Sequence, residues 1–271
     1  MNESSMSLPA DYHSHTRLCK HAGGEPVEYA RRAAALGIPE LAATDHGPTA
    51  LGHDPEHRME LAEFPEYIRM IETARAQFGD RVLFGVEADY FDGCEAFLRP
   101  WLAEPPFDLV LGSIHYLEPR TPDRPPGPVL WDVADQATVW KYYFELVGRL
   151  ADTGLYDIVG HLDMLKRTGS RPRDRDLKEW ALPALDRIAR AGMAIELNTS
   201  GLRHVIREIY PSPILLAWTR ERDIPIVFGS DAHAPDQVGY GFEEAVRLAR
   251  GCGYTHAARF RRRTRTLVPL G

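Results

Sequence analysis

Seven histidines, His13, His15, His21, His46, His115, His161 and His233, fall at the ends of predicted strands or in the adjoining loops, whereas His53, His57, His204 and His256 do not. Imidazole is the commonest protein ligand for zinc-like ions. His13 and His15, two residues apart at the end of an apolar segment, can present both rings to one point. Glu87 and Asp231 also lie at strand ends, which makes nine candidate ligands. A single tetrahedral ion takes about four. Two or three closely spaced divalent ions are therefore expected, with Glu87 as a bridging carboxylate. Nitrogen and carboxylate donors without thiolate suit zinc, manganese or iron. Such a cluster lowers the pKa of coordinated water and neutralises charge on an oxyanion, and the chemistry that needs both is hydrolysis of a phosphate ester.

The elements that must position these residues alternate along the chain. Apolar runs at 8–12, 41–44, 82–86, 109–114, 158–160, 194–197 and 226–228 predict seven strands. In turn they deliver His13 with His15, then His46, Glu87, His115, His161, Asn198, and Asp231 with His233. Helical patterns follow at 26–36, 64–78, 94–102, 137–150, 177–191, 213–221 and 242–250, with Pro26 suited to a first turn and Gly37 to a stop. Continuously apolar strands in series with helices imply a parallel sheet covered on both faces. An open sheet would use mainly the strands at its switch point. Ligands from nearly every strand instead favour a barrel, whose chemistry gathers at the C-terminal strand ends. The expected fold is a distorted (β/α)7 barrel forming one domain over 1–271, with residues 1–8 a flexible extension. The polar segment 47–63 and the proline-rich segment 118–128 are long enough to cover a site.

The 271 residues carry a net charge of −7 without a sustained acidic block, which argues against an extended nucleic-acid surface. The basic run Arg259, Arg261, Arg262, Arg263 and Arg265 reads as a solvated or salt-bridged edge. Cys19, Cys94 and Cys252 form no Cys-x-x-Cys pair, so neither a disulfide framework nor a thiolate metal site is indicated. The N-terminus lacks the basic and apolar regions of an export signal, and no uncharged stretch is long enough to span a bilayer. A cytoplasmic protein with neither membrane nor nucleic-acid partner is expected. Nothing in the sequence fixes an oligomeric state.

The motifs His13-Ser14-His15, Cys19-Lys20-His21, Thr44-Asp45-His46, Gly85-Val86-Glu87, Gly112-Ser113-Ile114-His115, Gly160-His161-Leu162-Asp163 and Gly229-Ser230-Asp231-Ala232-His233 resemble those of the polymerase-and-histidinol-phosphatase (PHP) superfamily. The resemblance runs from about Asp11 to the C-terminus and is strongest to the branch that hydrolyses L-histidinol phosphate in histidine biosynthesis. It implies a distorted seven-stranded barrel with a trinuclear site. His13, His15, Glu87 and Asp231 would hold one metal, Glu87, His115 and His161 a second, and His21, His46 and His233 a third. Several relatives that cleave nucleotides carry aspartate at the position of His21. Hydrolysis of nucleotides or nucleic-acid ends is the alternative.

The resemblance also makes Arg167 and Arg203 phosphate ligands, a role their bidentate forks suit on physical grounds. Asn198 and Arg17 complete the expected substrate-facing set, Arg17 standing where the family would carry proline. Asp231 or His233 would protonate the departing alkoxide. Asp45 and Asp163 are expected to accept hydrogen bonds from the ligand imidazoles. His53 and His57 read as loop histidines, and His204 as a helix-start residue.

Overall fold

The computed structural model describes residues 8–50, 54–117, 136–169 and 171–270. Six parallel strands lie side by side in chain order: β1 (Leu41–Ala43), β2 (Val82–Asp89), β3 (Leu109–Ser113), β4 (Ile158–Val159), β5 (Ala194–Asn198) and β6 (Ile226–Gly229). Every strand residue is buried, as expected of a sheet covered on both faces. Side chains alternate across the sheet. Leu83, Leu109, Leu111, Ile158 and Val227 belong to a small inner cluster, while their neighbours Val82, Phe84, Val110, Val159 and Phe228 pack outward against the helices.

The expected first strand is not a continuous ladder. Instead the irregular segment Asp11–His15 closes the curl between β1 and β6. Ala42 N–H donates to Asp11 O at 2.8 Å on one side, and Tyr12 N–H to Phe228 O and His15 N–H to Ala232 O, both at 2.8 Å, on the other. Pro9 lacks an N–H to extend a ladder. Six strands and this seventh stave make the distorted barrel.

Helices α1 (Pro26–Ala35), α2 (Phe64–Phe78), α3 (Glu95–Ala103), α4 (Gln136–Asp152), α5 (Asp174–Ala191), α6 (Pro213–Arg220) and α7 (Phe242–Gly251) form the outer layer. Proline stands in the first turn of α1, α2 and α6, where its missing N–H costs nothing. Glu25 and Glu28 make a reciprocal capping box at the start of α1. None of the described helices is long and apolar enough to cross a membrane.

The basic C-terminal run, for which no strand was expected, forms an antiparallel hairpin of β7 (His256–Arg261) and β8 (Thr264–Pro269). Ala258 and Phe260 enter the inner cluster, with Phe260 edge-on to Tyr12 at 6.3 Å between ring centres. The arginines grip acidic residues that precede the strands. Arg259 and Arg261 pair with Glu40, and Arg263 Nε donates to Asp157 at 2.9 Å. The run is therefore a salt-bridged edge that plugs the end of the barrel where the strands begin. Phe260→Ala would remove the aromatic part of that plug and is expected to lower stability by about 3 kcal/mol, read as a lower urea midpoint at unchanged slope.

Candidate metal centre

At the opposite end of the barrel all nine predicted ligand residues converge. Glu87, near the end of β2, is fully buried and faces two sets of histidines. Its Oε2 lies 2.8 Å from His46 Nδ1, 3.3 Å from His13 Nε2 and 3.5 Å from His15 Nε2. Its Oε1 lies 3.1 Å from His161 Nε2 and 3.7 Å from His115 Nε2, and accepts a hydrogen bond from Ser113 Oγ at 2.5 Å. Asp231 Oδ1 stands 3.2 Å from His15 Nε2 and 3.8 Å from His13 Nε2. His21 and His233 meet at 3.0 Å between their Nε2 atoms. The backbone turns sharply to reach this arrangement, with φ of +50° at Asp231, a residue type that tolerates the left-handed region.

The donors fit divalent cations. His13 Nε2, His15 Nε2, His46 Nδ1 and Glu87 Oε2 are buried without a hydrogen-bond partner, an arrangement that costs free energy unless something fills the space between them. Ligand atoms of His13, His15 and Glu87, of His46, Glu87 and His115, of His15, Asp231 and His233, and of His21, His46 and His233 lie within 4.8 Å of one another in each group. Burial alone would raise the Glu87 carboxyl, but His13, His46 and His115 outweigh it and hold Glu87 well below the usual carboxylate range. His13 and His15 do the same for Asp231. His15 is pushed down by burial and by His233 and His46, which favours the neutral ring, whose one lone-pair nitrogen can bind a cation. His13 goes the other way: burial lowers it, but Glu196, Asp231 and Glu87 together raise it well above its usual value.

The residues that aim the rings differ from those expected. Asp45 accepts from the N–H and hydroxyl of Thr16, and Asp163 from Ser212 N–H beside Lys166; neither holds an imidazole. That work falls to Glu196, Asp89 and Cys19. Glu196 on β5 bonds His13 Nδ1 at 2.7 Å and accepts His161 N–H at 2.9 Å. Asp89 at the end of β2 bonds His115 Nδ1 at 2.5 Å and is paired with the buried Arg58 at 2.7 Å. Cys19 Sγ lies 3.3 Å from His15 Nδ1. Gly229 carries a signal for the first of these: a Cβ there would come 1.8 Å from Glu196 Oε1, so only glycine lets that carboxylate in.

The centre opens into a cleft of about 300 Å³, lined among others by Arg167, His57, Asp54, Arg58 and Tyr116. Of the expected substrate-facing residues, Arg167 reaches this cleft. Arg203 donates instead to Ser230 O at 2.9 Å and Asp231 O at 2.8 Å, bracing the turn that presents Asp231. Asn198 spends its amide on Glu196, Asp231 and Ser200. Arg17 is held by Glu25 and Glu66 on the surface. His57, expected to be an ordinary loop histidine, stands in the cleft wall 5.3 Å from the His21 ring. His204 follows the short helical turn Ser200–Arg203 instead of starting a helix. His53 and the segment 118–128 lie outside the described residues.

The model of the PHP domain matches residues 11–200, and that of a PHP-associated region matches 216–246. A probable histidinol-phosphatase of Deinococcus radiodurans is 40% identical over 245 residues, covering 90% of this chain and 93% of that one. The histidinol-phosphatase of Bacillus subtilis is 26% identical over 258 residues, 86% of this chain and 96% of that one. Among solved structures, histidinol phosphate phosphatase from Lactococcus lactis, complexed with zinc, L-histidinol and phosphate, superposes with a TM-score of 0.81 at 21% identity, over 97% of this chain and 100% of that one. At that identity the likeness shows a shared fold.

Glu196→Gln would keep the size of the side chain and remove the charge that orients His13. Zinc affinity, measured by chelator competition, is expected to fall by about 10- to 100-fold. Because His13 carries a proton that must leave before Nε2 can ligate, affinity should rise with pH, by about tenfold per unit for that one proton. Chelator titrations on either side of neutrality would read the slope, and a pH-independent affinity would contradict the charged state of His13.

Proposed function

The chain belongs to the PHP-domain family, and on that premise we propose that it is a divalent-metal-dependent phosphomonoesterase that hydrolyses L-histidinol phosphate to L-histidinol and inorganic phosphate. The observation that carries the reaction class is the buried Glu87, whose two oxygens face separate histidine sets at the base of a cleft that also receives Arg167. The substrate assignment draws its support from the relative at 40% identity over most of both chains, and from the Lactococcus protein of the same fold found with zinc, L-histidinol and phosphate.

His13, His15, Glu87 and Asp231 would hold one cation, Glu87, His115 and His161 a second, and His21, His46 and His233 a third. Zinc, manganese or iron bound there supplies charge neutralisation at the phosphoryl oxygens and activates water as a nucleophile. Arg167, exposed at the cleft wall, takes a phosphate oxygen pair with its guanidinium fork. Arg203 contributes by position, fixing the Ser230–Asp231 backbone. Asp231 is held in its ionised form, which suits it to hold a cation and not to protonate the departing alkoxide. The three cysteines are unpaired, in keeping with work in the reducing cytoplasm.

Phosphate release from L-histidinol phosphate, measured beside an aryl phosphate and a nucleotide with zinc or manganese supplied, tests this reading. Strong preference for histidinol phosphate, abolished by chelator and restored by metal, is the expected result; preference for the nucleotide would overturn the substrate. Arg167→Ala should lower kcat/KM by about 10- to 100-fold through loss of a charge-assisted contact, with metal content unchanged.

A further inference from the structure

L-Histidinol phosphate is a phosphate dianion joined through a few bonds to an ammonium group, so its site needs cations at one end and a carboxylate at the other. Among the described residues three carboxylates line the cleft: Glu87, Asp231 and Asp54. The first two face the histidines at the centre. Asp54 stands apart, on the segment between β1 and α2, its side chain 25% exposed.

Two contacts fix the direction of that carboxylate. Tyr116 Oη–H donates to Oδ2 at 2.6 Å, and His57 Nδ1 lies 2.8 Å from Oδ1. Each carboxylate oxygen has two lone-pair directions, so both keep acceptor capacity. The nearest guanidinium, Arg58, is 3.9 Å from Asp54 and is already committed to Asp89 at 2.7 Å. Partial burial would raise the Asp54 carboxyl, but the contacts from Tyr116 and His57 and the charge of Arg58 outweigh it and keep the group ionised.

Its place around the barrel is also suitable. Asp54 is tied to Tyr116, just past β3, whereas Arg167 follows β4. The cleft thus carries the Asp54 carboxylate, with Arg58 turned to Asp89 behind it, on the wall built after β1 and β3, and Arg167 on the wall built after β4, with the histidine cluster at its base. We propose that Asp54 is a specificity-determining residue that receives the ammonium group of the substrate, held in its working direction by Tyr116 and His57. This deepens the proposed hydrolysis of L-histidinol phosphate and rests on it.

The test uses Asp54→Asn, which keeps the side-chain size and removes the charge. Steady-state rates are compared on L-histidinol phosphate and on the analogue in which hydrogen replaces the amino group, both with metal-loaded full-length protein of verified zinc content. The expected result is a fall in kcat/KM of about 10- to 100-fold on L-histidinol phosphate, carried mainly by KM, and at least about tenfold greater than any fall on the analogue. Inhibition by L-histidinol should weaken in parallel, while inhibition by inorganic phosphate should not. Equal losses on both substrates, or none on either, would overturn the proposal. Tyr116→Phe removes one of the two tethers and keeps the carboxylate, so the same selectivity change is expected at smaller size; a loss equal on both substrates in that variant would reassign the pair to holding the loop. If the wild-type protein turns over another phosphate ester and not L-histidinol phosphate, the proposed function falls and takes this inference with it. If it hydrolyses both L-histidinol phosphate and the analogue equally well, the function stands and Asp54 has no such role.

Discussion

A carboxylate buried at the centre of a barrel has to be compensated, and most of what surrounds Glu87 follows from that requirement. An isolated charge in a dry interior is strongly disfavoured, so it is retained where opposite charge or a cation repays its lost hydration. Glu87 is fully buried, with five imidazoles directed at its two oxygens and one hydroxyl bonded to it. Those imidazoles in turn cannot pack nitrogen to nitrogen without aim, because rings such as His15 and His233 are only 4.3 Å apart at their centres. Glu196, Asp89 and Cys19 supply that aim from behind. The functional end of the barrel is a set of nested compensations, each layer satisfying the one within it.

The other end of the barrel is closed by quite different means. Short strands such as β4, two residues long, leave a narrow inner cluster that the ladder cannot seal by itself. Phe260 and Ala258 complete that cluster from the C-terminal hairpin, and the arginines flanking them anchor on Glu40 and Asp157 just before β1 and β4. Apolar contact thus supplies the burial and the ion pairs set the register of the plug. A rigid, closed base is what allows the ligands at the far end to be held by strand ends instead of by long loops.

How much of this was legible in the sequence depended on whether a residue's role was local. The nine ligand candidates announced themselves because each sits where an apolar run stops, and the (β/α) alternation needed only hydrophobic pattern and punctuating Gly and Pro. The barrel's closure by Asp11–His15 was foreseen in number but not in form, since a stave that hydrogen-bonds at single points carries little periodicity. Glu196 and Asp89 were missed for a physical reason: they lie on strands within two residues of other polar positions, and only the fold shows that they reach back to His13 and His115. Asp45 and Asp163, one residue before His46 and two after His161, drew the expectation that nearness in sequence implies contact. Both pairs lie past the ends of β1 and β4 in irregular backbone, where nearness in sequence does not fix which way a side chain points. The hairpin escaped notice because its arginines mask the alternation of Ala258 and Phe260. Arg203 and Asn198 were placed at the correct strand ends, but what they hold is Asp231 and its backbone.

The segment after β1 illustrates how a loop becomes part of the site's wall. Its length suggested a cover over the cleft, yet Arg58 within it is 3% exposed and bonded to Asp89, to Gly47 O and to Tyr116. Asp89 is the same carboxylate that orients His115. Withdrawing Arg58 would leave Asp89 buried without its cation, and removing one partner of a buried pair costs about 3–5 kcal/mol. Residues 54–63 are therefore wired to the histidine cluster, and the wall they form is set by the same charge balance that fixes the histidines. A chain of contacts runs from His115 through Asp89, Arg58 and Tyr116 to Asp54, so the geometry of the cleft wall and that of the ligand cluster are established together.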